Sequence, residues 1–238
     1  MKTFKQILES IKSVTANDIE YEYDSYLEEN PDTNPIDAIK AILDSMDVSY
    51  EEVEIPLEEN SYIVTKDVVI EYDSTAAKYP LTFHKKDSFL YNTSFTNLES
   101  KVEEDYNRDF WDSPQTLYHA TRNESVEGIK ETGLNTSRGS GINNRGANGV
   151  FTVSNIELLQ DGSYGPNIFE IDTSTMKKDG YKPFVSMEPD VLEGEVRGEV
   201  ANLIGDDRYS PESYDGQWQE TVIVGGKIGP KYLKLLEQ

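Results

Sequence analysis

The chain carries two histidines, His84 and His119, and no cysteine. Disulfides, thiolate metal sites and cysteine nucleophiles are therefore excluded. With two imidazoles and no thiol a zinc site is not expected, and no metal is assigned. The candidates for chemistry lie in three segments of the second half. Thr116-Leu117-Tyr118-His119-Ala120-Thr121 reads as a short strand ending in a histidine, followed by a short helix that Gly133 closes. Gly149–Ser154 reads as a second strand, followed by a segment ending in Ser163-Tyr164-Gly165. Trp218–Val224 reads as a third strand containing Glu220, and Lys231–Leu236 follows it. Taken singly these residues have ordinary readings. His119 is then a capped strand-end side chain, Tyr164 a core aromatic and Glu220 a solvated acid at a strand edge.

Between the first two segments runs Thr136–Gly149, rich in Gly and Asn. Such a backbone visits conformations that other residues avoid. It reads either as a plain surface loop or as a loop beside a ligand, with Arg138 and Arg145 available to a pyrophosphate. No Gly-Lys-Ser/Thr follows, so it is not a phosphate loop of the nucleotide-hydrolase kind.

The elements that must carry these residues are mixed. Phe4, Ile7, Leu8 and Ile11 recur at helical spacing and predict an amphipathic helix over Met1–Ser13, without the apolar core of a secretion signal. Asn34–Met46 predicts a second helix, capped by Asn34 with Pro35 at its first position. Asp18–Thr33 between them is acidic and runs into a loop signal at Asn30–Pro35. Ser61–Thr65 and Asp67–Tyr72 predict paired strands joined by a tight turn, and Leu81–Phe83 and Phe89–Tyr91 are further strand candidates. Lys101–Asp112 predicts a charged helix that Ser113-Pro114 breaks. A domain boundary is placed there, giving an acidic α+β domain over 1–112 and a second domain over 113–238. His84 reads as a surface or strand-end histidine. The acidic runs Glu20–Asp24 and Glu51–Glu59 read as solvated faces, with mimicry of a nucleic acid or cover for a basic partner as the sharper alternative.

The formal net charge is −23, concentrated in the first half. A surface this negative repels phosphate backbones and anionic lipid at long range, which argues against a general nucleic-acid binder. No apolar run approaches the length of a membrane span, so no membrane partner is expected. The absence of cysteine fits a cytosolic protein.

The three segments, in their order, resemble the ADP-ribosyltransferase superfamily on its diphtheria-toxin and poly(ADP-ribose) polymerase side. That family has Tyr-His-Gly-Thr on a first strand, then Ile…Gly-Leu, then Gly-Ile/Val-Tyr-Phe with a second Tyr some ten residues later. It closes with a catalytic Glu opening a Val/Ile-rich strand. The ending Glu220-Thr-Val-Ile-Val…Lys231-Tyr-Leu-Lys-Leu-Leu is similar to the polymerase ending. The resemblance covers Pro114–Gln238, about half the chain.

What the resemblance implies is an α+β protein whose second domain is a split, mostly antiparallel β-sandwich, with NAD as substrate in the cleft. Glu220 would stabilise the positive charge that builds on the ribose as the nicotinamide bond breaks. His119 would hold the adenosine-side ribose, with Thr121 beside it. The Ala120 backbone would pair with the nicotinamide amide, although the family prefers Gly there and the methyl is expected to crowd the site. Tyr164 would stack on the nicotinamide ring and Ser163 would bond its amide. Phe151 takes the first family Tyr position without the hydroxyl. The implied activity is mono-ADP-ribosylation of a macromolecular acceptor, protein before nucleic acid, with release of nicotinamide. A compact member of this family is usually a toxin or a phage-encoded modifier of host proteins.

The arginine-targeting branch places a second acid two residues before its catalytic Glu. Trp218 stands there, and Thr173-Ser174-Thr175 is not placed as that branch needs, which puts Arg modification in doubt. Two rivals remain. An RNA 2′-phosphotransferase would need a grip on phosphate, for which Arg122, Arg138, Arg145, Arg197 and Arg208 are present. A transferase-like protein without activity would explain Ala120 and Phe151.

Overall fold

The computed structural model describes residues 14–76, 79–135, 149–160, 162, 164–209, 220–224 and 226–236. The helix expected over Met1–Ser13 lies outside them. Two compact units emerge, one of Met1–Leu98 with Arg197–Ser210, the other of Glu99–Val196 with Pro211–Gln238. The division runs through two helices. Both units are mixed α+β with antiparallel sheets. Among the described residues no helix is long and apolar enough to cross a membrane.

In the first unit, α1 (Ala16–Glu29) and α2 (Pro35–Ser45) precede a meander of β1 (Glu51–Glu54), β2 (Ser61–Val64), β3 (Val68–Tyr72) and β4 (Leu81–Lys85). The acidic stretch after Asp18 is helical. Thr15 and Asp18 form a reciprocal capping box at its start, and Ile19, fully buried, anchors its inner face. The acidic residues occupy the other faces, so charge masked a helix that its cap announces. Asn34 Oδ1 accepts from Ile36 N at 2.9 Å and starts α2 as the sequence predicts. Ile19, Ile39 and Leu43 pack with Ile63, Val68 and Ile70 on one side of the sheet.

On the other side, Tyr62 and Phe95 meet Phe89 edge to face at 5.6 and 5.7 Å. Phe89 belongs to the short helix α3 (Lys86–Asn92) and not to the expected strand. Lys86 is buried and its Nζ donates to the Gly205 carbonyl at 3.3 Å. Asp87 pairs with Arg208, and the Arg197 guanidinium lies 4.6 Å from the centre of the Tyr91 ring. These contacts make residues 197–209 part of the first unit. His84 is not a bare surface group, because its Nε2 lies 2.8 Å from Glu71 Oε2 with both side chains mostly buried. That bond holds the Glu71 carboxyl below its ordinary range, against the opposing effect of burial.

The second unit takes most of α4 (Thr96–Asp112), then β5 (Leu117–Thr121), α5 (Asn123–Thr132), β6 (Leu134–Asn135), β7 (Val150–Val153), β8 (Asn167–Ile171), α6 (Thr173–Lys178) and β9 (Phe184–Met187). The first part of the helix α7 (Pro189–Leu203), as far as Val196, with β10 (Glu220–Val224), β11 (Lys227–Ile228) and β12 (Leu233–Leu235), completes it. Six strands form one sheet in the order β12-β8-β5-β7-β10-β9, every neighbouring pair antiparallel. Leu117, Val150, Phe169, Ile171, Val185 and Ile223 gather one face into a core with Trp111, Val126, Ile129 and Met176. Gly133 (φ +82°) lets α5 end hard against β11, since a Cβ there would stand 2.1 Å from the Ile228 carbonyl oxygen.

β9 is an edge strand, and α4 satisfies part of it. Asn107 Oδ1 accepts from Val185 N at 2.9 Å, and Ser186 Oγ donates to Glu103 Oε1 at 2.5 Å. One turn further along, the buried Trp111 indole donates to the Pro183 carbonyl at 3.0 Å. Trp111→Phe keeps most of the apolar contact and leaves that carbonyl unpaired. We expect a loss of about 1–3 kcal/mol in urea unfolding, and a variant as stable as the parent would show that the bond contributes nothing net.

Candidate functional site

β5 carries His119 into the middle of the six-stranded sheet, between β8 and β7. On the β8 side the ladder is complete, pairing Leu117 to Thr121 with Ile171 to Asn167. On the β7 side, among the described residues, the one register pair is Tyr118 with Val153. Beside that pair, His119 Nδ1 lies 2.9 Å from the Phe151 carbonyl oxygen. A carbonyl only accepts, so Nδ1 carries the proton. In the neutral ring Nε2 is then an acceptor, and among the described residues it has no hydrogen-bond partner.

Burial holds His119 below the ordinary histidine range, and the Phe151 carbonyl acts in the opposite direction. The ring is therefore neutral near pH 7, with one tautomer fixed by the chain. It can orient a hydroxyl donor on a ligand. It does not supply a positive charge for an anion.

β10 lies next to β7, with Glu220 opposite Val153 and Val222 opposite Phe151. Glu220 is described by its backbone alone, at the first position of its strand. It shares a row with Val153 and Tyr118, two strands from β5 and so roughly 10 Å from it at ordinary strand spacing. In an unbroken sheet this row would alternate with that of His119. The Tyr118–Val153 pair carries that alternation into β5, so His119, next to Tyr118, falls on the opposite face, the one that carries Leu117 and Phe169. Glu188 follows β9 directly. The pairing of Met187 with Thr221 puts it beside Glu220, and its buried carboxylate accepts from Asp190 N at 3.1 Å to start α7. Nothing in the sequence marked Glu188, because its neighbour across the sheet is distant in the chain.

Ala120 is half-buried and packs with Val153, Leu159 and Ile168. Its methyl is thus part of an apolar cluster. Thr121 is buried at the end of β5. Phe151 is half-buried and contributes its carbonyl to His119. Tyr164 stands in a turn before β8 with 42% of its surface exposed. Arg138, Arg145 and Ser163 lie outside the described residues. Among the described residues no group of three or more His, Asp or Glu side chains is placed to hold a metal ion.

The neutral His119 gives a signed pH effect. Above the unfolded value, near 6.5, neither state binds a proton at this site. As pH falls through that value the unfolded chain takes up a proton that the folded chain resists, and stability falls. His119→Asn removes this component and keeps an N–H for Phe151. Between about pH 7.5 and about pH 5.5 the parent should lose more stability in urea unfolding than the variant, and equal losses would contradict a neutral, buried ring. Comparison of the chain with family models, with curated proteins and with solved structures gives no match.

Proposed function

We propose that this protein is an NAD-dependent mono-ADP-ribosyltransferase, acting in the cytosol on a protein acceptor, and that its second unit is the split antiparallel sandwich of that superfamily. One observation carries the proposal. The segments bearing His119, Phe151 and Glu220, far apart in the chain, form three consecutive strands of one sheet, β5, β7 and β10. The interrupted β5–β7 ladder supports a cleft between two half-sheets, with the dinucleotide entering it.

The chemistry follows from the residue types. When the bond from ribose to nicotinamide breaks, its electron pair leaves with the ring and nicotinamide departs neutral. Positive charge is left on the ribose, as in glycoside cleavage. The Glu220 carboxylate stabilises that charge more in the transition state than in the bound substrate. The acceptor nucleophile then bonds to the ribose carbon and loses its proton. His119, with Nε2 as acceptor, orients a ribose hydroxyl. Tyr164, an exposed aromatic residue, stacks on the nicotinamide ring. The packed methyl of Ala120 argues that Ala in place of the family Gly is accommodated. An RNA 2′-phosphotransferase fits less well, since a neutral histidine acceptor does not grip phosphate.

The test is incubation of the full chain with labelled NAD and a cell lysate, beside Glu220→Ala. Label on protein and release of nicotinamide should both fall about 100-fold or more in the variant. Unchanged labelling would remove Glu220 from the chemistry. A folded parent that neither binds NAD nor releases nicotinamide would leave a transferase-like binding protein. Label destroyed by nuclease and resistant to protease would move the acceptor from protein to nucleic acid.

A further inference from the structure

The turn that carries Tyr164 is fastened to the end of the His119 strand at two points. Gly165 has φ +125°, and a Cβ on it would lie 2.4 Å from both the carbonyl carbon and oxygen of Thr121 and 2.9 Å from Arg122 N. Backbone here meets backbone, and no flexible side chain can yield. The Gly165 N–H closes the turn on the Gly162 carbonyl at 3.0 Å. Two residues on, Asn167 stands opposite Thr121 in the β5–β8 register. Its Nδ2 donates to Asn123 Oδ1 at 2.8 Å and reaches the Thr121 carbonyl at 3.4 Å. One side chain therefore ties the first residue of β8 both to the last residue of β5 and to the first turn of α5.

We infer that Gly165 and Asn167 are positioning residues that fix the height of Tyr164 above the His119–Thr121 strand, and thereby set the slot for the nicotinamide ring. The inference rests on the proposed transferase function. Its logic is geometric. A stacking contact is short-ranged, so a ring displaced by a fraction of an ångström loses much of its attraction for a flat ligand. Both fastenings follow Tyr164 directly in the chain, the glycine contact at the next residue and the Asn167 bonds two residues beyond it. The adenosine end of the ligand, held through His119, does not depend on this fastening. The two ends of NAD should respond differently when it is loosened.

Asn167→Asp tests this with little change of shape. The carboxylate keeps the size of the amide and removes the donor facing the Thr121 carbonyl and Asn123 Oδ1. Full-length parent and variant are titrated calorimetrically with NAD and with ADP-ribose, which lacks nicotinamide. The parent should bind NAD more tightly than ADP-ribose. The variant should lose about five- to tenfold in NAD affinity, the scale of one hydrogen bond, with ADP-ribose affinity unchanged. Gly165→Ala should do the same or more, and Asn167→Asp keeps the test decisive if the alanine variant does not fold. Unchanged NAD binding in Asn167→Asp overturns the positioning role. An equal loss for both ligands overturns it too, because it marks a general structural role. A parent that binds neither ligand overturns the transferase reading itself, and the inference with it.

Discussion

The arrangement of the second unit depends on the hydrogen bond from His119 to the Phe151 carbonyl. A strand in the interior of a sheet normally satisfies its neighbours with backbone groups. Here a side chain serves a carbonyl of β7 at the place where β5 and β7 share, among the described residues, one register pair. The bond does two things. It satisfies a carbonyl beside the interrupted ladder, and it leaves the other ring nitrogen as an acceptor. Charging the ring would require a buried imidazolium, which burial opposes. The joint between the strands and the chemical character of the site are thus one constraint.

Around that joint the sheet is held from its edge. β9 receives two polar contacts from α4, and Trp111 adds a third at Pro183. Glu188 then converts the end of β9 into the start of α7. Each of these uses a buried polar group with a defined partner, so the helix is held in register against the strand and not merely pressed onto it. The same logic recurs in the first unit, where Glu71, His84 and Asn60 form a connected set on the face of the sheet that carries Tyr62. Burial pushes the Tyr62 phenol far above its ordinary range, and the nearby Glu71 charge acts in the same direction.

Local signals were readable where physics is local. The Asn34-Pro35 start, the tight turn between the β2 and β3 regions and the Gly133 stop all appear as expected. The helix Ala16–Glu29 was obscured because its acidic surface dominates its composition, although Thr15 and Asp18 are a cap pair. Phe89 looked like a strand residue because aromatic and β propensities overlap, and tertiary packing against Tyr62 and Phe95 decides otherwise. The partner of His84 lies on an adjacent strand, which a reading of isolated motifs does not supply. At the candidate site, the strands that carry His119, Phe151 and Glu220 stand where the sequence predicts strands. The tautomer of His119, the approach of Gly165 to Thr121 and the placement of Glu188 were not legible, since each depends on residues brought together only by the sheet.

The membership of residues 197–209 in the first unit has a consequence for synthesis. A ribosome delivers the first ninety-eight residues early, and domains ordinarily fold in the order in which they emerge. This unit lacks its closing piece until Ile204, Gly205 and Arg208 have left the tunnel, by which time most of the second unit has been made. Lys86 and Asp87 wait for partners more than a hundred residues downstream. The strands carrying the proposed catalytic residues are interrupted at the same point, with β10 still to come. Neither unit is therefore complete before Arg208 has emerged, and a chain released short of that point leaves both incomplete.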